Sequence, residues 1–279
     1  MQILTDDQPR PLYTCWLFWI AVPTGDQAGV MTTLGLTRSR SVTFAEAAVA
    51  IDDDGHGATD GLARVYVSPE LDGWTLVIGP WCDPCDDESS DEMLQLCTDL
   101  SSRYGQAQAY YYGMQADGSA WLIAEHGTVV RRYCETGVPD EDALFTLGQP
   151  LPLERARRKE LGLSPTWDEN TRGSEAEDEW KWGAHDMAPE IAAALGISPL
   201  GLTPQTPVRH RPTRPHPAYS LRKAPGCDRI RELWNTGEAD FPAAGVPQPA
   251  PAPQAGFGLD QRTRSQCIPE RYEVNLEVS

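Results

Sequence analysis

The sequence predicts an α+β fold with a single mixed or antiparallel sheet of about five strands and two or three helices packed on it. The chain has 279 residues, of which 40% are apolar, so it can bury an ordinary core of ~100–150 residues. Apolar and polar residues alternate at 62–68 and 128–134, which is typical of strands. Apolar residues recur at helical spacing through residues 93–104, which predicts an amphipathic helix.

The helices are predicted from their start and stop signals. Thr43 precedes Glu46 by the spacing of a capping box. Gly105 and Gly162 each follow a helical segment at the position where a glycine commonly ends a helix. We therefore expect helices at residues 43–51, 90–104 and 153–161, and a small helix at 187–195.

The strands are predicted from alternation and from short continuous apolar runs between turn residues. His126 and Gly127 supply a two-residue turn between two of these segments, so those two are expected to form a hairpin. The expected strands lie at residues 62–68, 74–78, 106–112, 120–125 and 128–134.

The chain is predicted to divide into four regions. Residues 1–29 contain an uncharged apolar run at 12–22, which we interpret as an apolar arm that either adds a strand or binds a partner. Acidic residues precede this run, whereas a secretory leader begins basic, so we expect no leader and a cytoplasmic protein. Three regions follow the arm: the α+β core domain at 30–165, an acidic linker with the small helix at 166–202, and a proline-rich flexible tail with a possible terminal strand at 203–279.

The charge balance limits the classes of partner. The chain carries 23 basic and 41 acidic residues, a formal net charge of −18. Nucleic-acid binding is disfavoured, because neutralising phosphates requires a basic surface. No segment is long enough to cross a membrane, and the seven cysteines fit reduced thiols better than a secreted disulfide framework. A basic protein is the expected partner, with no cofactor and no metal.

The sharpest chemical motif is the segment WCDPC, which starts at Trp81. It resembles the Trp-Cys-x-Pro-Cys active site of the thioredoxin family. The resemblance implies a thiol–disulfide oxidoreductase in which Cys82 is the nucleophile and Cys85 the resolving thiol. Between residues 65 and 102, however, there are nine acidic residues and no Lys, Arg or His, and such a field raises the pKa of a thiol.

The main hypothesis is therefore a non-catalytic acidic module, immunity-like or adaptor-like, that binds a basic protein. Carboxylates steer a basic partner, and an exposed tryptophan can supply much of the contact energy. A second acidic segment at residues 52–60 would extend the face. No catalytic residue is assigned, and the predicted binding residues are Trp81, Asp83, Asp86, Asp87, Glu88, Asp91 and Glu92.

Two further resemblances concern other parts of the chain. Residues 62–162 resemble a group of uncharacterised α+β proteins from GC-rich bacteria, through the stretches GWTLVIG, QAYYYG, WLIAE and VVRRYCETG. That resemblance implies an α+β fold of the kind found in immunity or interaction modules. Residues 187–200 look like the start of a helix-turn-helix, which implies a DNA-associated regulator as a third possibility.

Overall fold

The computed structural model describes residues 8–55, 62–85, 90–114, 118–134, 146–166, 175–209 and 218–223. Eight strands form one antiparallel sheet in the order β2-β10-β3-β5-β1-β6-β7-β8, and β4 pairs separately with β9. The strands are β1 Trp16–Val22, β2 Thr37–Ser41, β3 Leu62–Val67, β4 Glu70–Leu71, β5 Thr75–Ile78, β6 Gln106–Gly113, β7 Ser119–Glu125, β8 Thr128–Cys134, β9 Val208–Arg209 and β10 Ala218–Lys223.

Helices accompany this sheet, so the predicted α+β class is confirmed. Single 3₁₀ turns occur at Pro80–Cys82 and Pro199–Gly201. The helices of the described residues are α1 Gln27–Thr33, α2 Phe44–Gly55, α3 Ser90–Tyr104, α4 Pro152–Glu160, α5 Glu175–Ala184 and α6 Met187–Leu195.

The local signals of the helices and of the hairpin are confirmed. The Thr43 backbone N–H donates to Glu46 Oε2 at 2.7 Å, and the Glu46 backbone N–H donates to Thr43 Oγ1 at 3.1 Å, which completes the capping box. Gly105 ends α3 with φ 88°. His126 and Gly127 both have positive φ, as a tight two-residue hairpin turn requires.

The N-terminal apolar run is a central strand of the sheet. β1 lies between β5 and β6, and Trp19 faces Ile78 on one side and Tyr110 on the other. The run therefore adds a strand, one of its two predicted roles, but that strand belongs to the core sheet, so the predicted division at residue 30 does not hold. A strand with neighbours on both edges and packed layers on both faces must be apolar throughout, which accounts for the uncharged run.

Both faces of the sheet are covered by helices. On one face, buried residues of the sheet pack against α2, α5 and α6, and on the other against α1 and α3. Successive residues of β1 alternate between the two clusters, with Trp19 and Ala21 in the first and Ile20 and Val22 in the second. The domain is thus a three-layer arrangement.

Four aromatic side chains lie side by side across adjacent strands on the first face. Trp19, Tyr110, Trp121 and Tyr133 are direct partners on β1, β6, β7 and β8. The rings of Trp19 and Tyr110 stack at 4.9 Å, and those of Trp121 and Tyr133 at 4.5 Å. All four are buried, so these aromatics form core and not a ligand groove.

The C-terminal part of the described chain is more ordered than its composition predicts. β10 lies between β2 and β3, in a region that was expected to form no regular structure. Its six residues contain no proline, so every backbone N–H can donate to a neighbouring strand. The predicted terminal strand at residues 272–278 lies outside the described residues.

Sheet side chains hold both ends of α6. Ser119 Oγ accepts from the backbone N–H of Ala188 in the first turn, at 3.2 Å. Gln108 Nε2 donates to the carbonyl of Leu195, the last residue of the helix, at 3.4 Å. The small helix predicted at 187–195 is confirmed, and these contacts fix it against β6 and β7.

Candidate functional site

Trp81 belongs to the core. The chain leaves β5 at Ile78, turns at Gly79 and enters the 3₁₀ turn Pro80–Cys82, which packs against β1 and β3. This turn carries the Trp81 side chain into the cluster beneath α3, where it is 6% exposed. The expectation that Trp81 is an exposed aromatic anchor is wrong, because an indole in the core cannot meet a partner.

The predicted acidic residues do not form a continuous described surface. Asp83 is half-buried and its Oδ1 accepts from the Cys85 backbone N–H at 2.9 Å, so it shapes the turn. Asp91 is exposed and Glu92 half-buried in the first turn of α3, where negative charge stabilises a helix N-terminus. Residues Asp86, Asp87 and Glu88, and residues 56–60 of the second acidic segment, lie outside the described residues.

The environment of Cys82 differs from that of a thioredoxin-type nucleophile. Its side chain is fully buried, and its thiol donates to the Val77 carbonyl at 3.6 Å. Burial raises the pKa of Cys82, and the charges of Cys97 and Asp83 add to the rise. Because α3 begins at Ser90, the helix N-terminus that would stabilise a thiolate lies beyond the motif.

Cys85 lies beside a thiol from outside the motif. Burial raises its pKa well above the usual value, and a hydrogen bond with the thiol of Cys134 raises it further. Cys134 is the last residue of β8, on a strand remote in sequence. The thiol that packs near Cys85 thus comes from a distant strand.

The resemblance of residues 187–200 to a helix-turn-helix ends with α6. Where a recognition helix would begin, the structure has the 3₁₀ turn Pro199–Gly201, and Pro199 is buried. Residues 202–209 contribute only the short strand β9. The described chain after α6 thus contains no helix that could enter a DNA groove.

The surface that sequence reasoning missed is on α5. Trp182 is 70% exposed, the most exposed large apolar side chain among the described residues. Glu175, Asp178 and Glu179 are exposed on the same side of the helix, because residues three, four and seven apart share one face. We call these four residues the Trp182 face.

The opposite side of α5 is buried and anchors the helix. Glu177, Trp180 and Ala184 are 3% exposed or less. The Trp180 ring meets Tyr133 edge-on at 6.0 Å, at the end of the aromatic row of the sheet. The guanidinium of Arg158, on α4, lies 5.1 Å from the Trp180 ring centroid.

A second arginine of α4 holds the junction between α5 and α6. Arg157 donates to the Gly183 carbonyl at 2.7 Å and to Asp186 Oδ1 at 3.1 Å. It also reaches the carboxylate of Glu190 on α6 at 3.0 Å. The Trp182 face is therefore carried by a helix that neighbouring elements hold in place.

The prediction of an acidic linker with one small helix at residues 166–202 is corrected by α5, which is a second helix in that region. The signal for a helix was present, because Glu177, Trp180 and Ala184 are spaced three and four apart. Trp180 and Trp182, two residues apart, must face opposite sides of a helix. That spacing already separates a core tryptophan from a surface one.

Within the part of the chain that the structure describes, no group of three or more His, Cys, Asp or Glu side chains is placed to hold a metal ion, and none of the helices described is both long and apolar enough to cross a membrane. Comparison with protein-family models, with curated proteins and with solved structures found no match to this chain.

Proposed function

We propose that this protein is a non-catalytic binding module whose Trp182 face engages a basic segment of a protein partner. The observation that carries the proposal is Trp182 itself. Its side chain is 70% exposed and shares one side of its helix with three exposed carboxylates, a combination of an aromatic ring and acidic groups that suits a cationic partner. The proposed function, binding of a basic protein, is the one expected from the sequence, but the aromatic residue at its centre is Trp182 instead of Trp81.

The chemistry of the face fits a cationic partner. Glu175, Asp178 and Glu179 surround Trp182 with carboxylates that can pair with Lys or Arg side chains. The indole face also attracts a guanidinium or ammonium group through its quadrupole. The net charge of −18 adds a long-range attraction that salt screens, so affinity should fall as ionic strength rises.

The rigidity of α5 also supports binding. A surface held by packed helices loses little conformational entropy when a partner docks, so more of the contact energy appears as affinity. We place the interaction in the cytoplasm, where cysteines such as Cys82 and Cys97, which are not in disulfides in this structure, stay reduced.

The test uses the full chain to select ligands from a library of random peptides. Selected peptides should be enriched in Arg and Lys, and Trp182→Ala should weaken their binding on the order of 30-fold, the effect of losing a contact of about 2 kcal/mol. Tyr13→Ala is the matched control, because Tyr13 is an equally exposed aromatic, at 66%, outside the face.

A second pair of variants tests the charges. Asp178→Lys with Glu179→Lys should weaken binding strongly, whereas Asp52→Lys with Asp53→Lys changes the net charge equally on the exposed side of α2 and should weaken it only modestly. Selected peptides that lack basic residues, or that bind Trp182→Ala as tightly as the wild type, would show that the face is not the binding site.

A further inference from the structure

Two cysteines that are distant in sequence meet between the WCDPC turn and the end of β8. The Cys134 thiol donates at 3.3 Å to the carbonyl of Pro84, the residue directly before Cys85. Cys85 packs against the small buried cluster that contains Cys134 and Tyr111. The two cysteines are therefore neighbours in the folded protein.

A third residue fixes this arrangement. Arg132 Nη2 donates to the Pro84 carbonyl at 2.8 Å, so the same oxygen receives both a guanidinium and the Cys134 thiol. The turn is thereby tied to β8 from two positions of the strand. The positive charge of Arg132 also favours a thiolate at Cys85, in opposition to the effect of burial.

The two cysteines differ in access to solvent. Cys134 is fully buried, whereas Cys85 is only half-buried. Cys82, the other cysteine of the motif, is fully buried and donates to the Val77 carbonyl. Of these three cysteines, Cys85 is therefore the one that a small disulfide from solvent would meet first, and the thiol beside it is that of Cys134.

We propose that Cys85 and Cys134 form a thiol modification site at which a low-molecular-weight disulfide is reduced and an internal disulfide is formed. The Cys85 thiolate attacks one sulfur of the small disulfide and displaces one thiolate. The Cys134 thiolate then attacks the Cys85 sulfur and displaces the second thiolate. Two cysteine thiols are oxidised, one small disulfide becomes two thiols, and the two cysteine protons end on the leaving thiolates.

The internal disulfide would change the fold in a definite way. It would join the turn after β5 to the last residue of β8, which the sheet order places on the outer strand. It would also close the chain between residues 85 and 134 into a loop, and such a loop restricts the unfolded chain. The oxidised protein should therefore unfold at a higher urea concentration than the reduced protein.

The experiment treats the reduced, full-length protein with oxidised glutathione and blocks the remaining thiols in denaturant before peptide mapping by mass spectrometry. The expected product is a peptide pair linked through Cys85 and Cys134, with Cys82 and Cys97 recovered as blocked thiols. A link between Cys82 and Cys85, a link from either proposed cysteine to Cys227 or Cys267, or an unmodified Cys85 would overturn the proposal.

Two variants separate the roles of the sulfurs. Cys134→Ala should retain glutathione on Cys85, because no resolving thiol is present, and Cys82→Ala should form the same internal disulfide as the wild type. If Cys134→Ala does not fold, the Cys82→Ala variant and the wild-type map still decide the pairing. Loss of the internal disulfide in Cys82→Ala would contradict the assignment.

Discussion

The ion pair between Arg131 and Glu154 offers the sharpest test of how α4 is fixed to the sheet. Arg131 on β8 and Glu154 on α4 are 5% and 1% exposed and form a two-pronged contact, with Arg131 Nε donating to Glu154 Oε2 at 2.9 Å. Glu154 Oε2 also accepts from the Leu151 backbone N–H at 2.7 Å. The guanidinium donates in addition to the carbonyls of Leu147 and Gly148.

The variant Glu154→Gln would leave the Arg131 charge buried without its counter-charge. The amide places a donor against a guanidinium that can only donate, so one of the two contacts is lost and becomes repulsive. Removing one partner of a buried pair costs about 3–5 kcal/mol, which in a domain of this size lowers Tm by on the order of 10 °C. Glu160→Gln is the control, because Glu160 is 73% exposed and its contact with Arg157 should contribute no more than about 0.5 kcal/mol.

The assay is urea unfolding followed by circular dichroism, with the free energy of unfolding obtained by linear extrapolation. The double variant Arg131→Met with Glu154→Leu should recover part of the loss, since it removes both charges and keeps apolar volume but leaves the Leu147 and Gly148 carbonyls and the Leu151 N–H without these partners. A cost below about 1 kcal/mol for Glu154→Gln, comparable with Glu160→Gln, would refute the reasoning that a buried charge depends on this carboxylate.

Two further predictions concern stability. Gly148 has φ +77°, and a Cβ there would overlap the Val130 carbonyl oxygen, whereas Gly162 has φ +74° and open space around it. Gly148→Ala should therefore lower the free energy of unfolding in urea clearly more than Gly162→Ala, in which only the backbone penalty of about 1–2 kcal/mol acts. Equal losses for the two variants would contradict the close approach at Gly148. Burial raises the pKa of Cys97 from 9.0 to about 12, so between these values the thiol stays protonated in the folded protein and ionises in the unfolded chain. The free energy of unfolding should therefore be unaffected by this thiol below pH 9 and should fall as the pH rises from 9 towards 12. Between pH 10 and 11, Cys97→Ala should reduce the slope of unfolding free energy against pH by about 1.4 kcal/mol per unit, and an unchanged slope would contradict it.

Elements with local chemical signals could be predicted from the sequence. The capping box of Thr43 and Glu46, the glycine at 105 and the turn of His126 and Gly127 involve residues at most three apart, so the sequence contains all the information that they need. The α+β class, the predicted helices and the hairpin follow from such signals. The net charge is likewise a property of the sequence alone, and the proposal of a basic partner starts from it.

The position of an element in the fold could not be predicted in this way. An uncharged run such as residues 12–22 suits an arm or a central strand equally, and only pairing of β1 with both β5 and β6 decides between them. The acidic residues before Trp182 indicate a linker when the sequence is considered alone. In the structure, Trp180 packs against Tyr133, and burial of this side of the helix supplies the stabilisation that an isolated ten-residue helix lacks.

The candidate site shows the same limit most clearly. Trp81 and Trp182 both lie near acidic residues in the sequence, and the sequence alone predicts Trp81 as the aromatic binding residue. In the structure, the 3₁₀ turn buries Trp81, whereas the packing of α5 leaves Trp182 exposed. The spacing of WCDPC suggests Cys82 as the partner of Cys85, whereas in the structure Cys85 packs beside Cys134 at the end of β8. Sequence thus determined which chemical groups this protein carries, and tertiary structure decided which of them meet each other or reach solvent, because burial and long-range contacts depend on the whole fold.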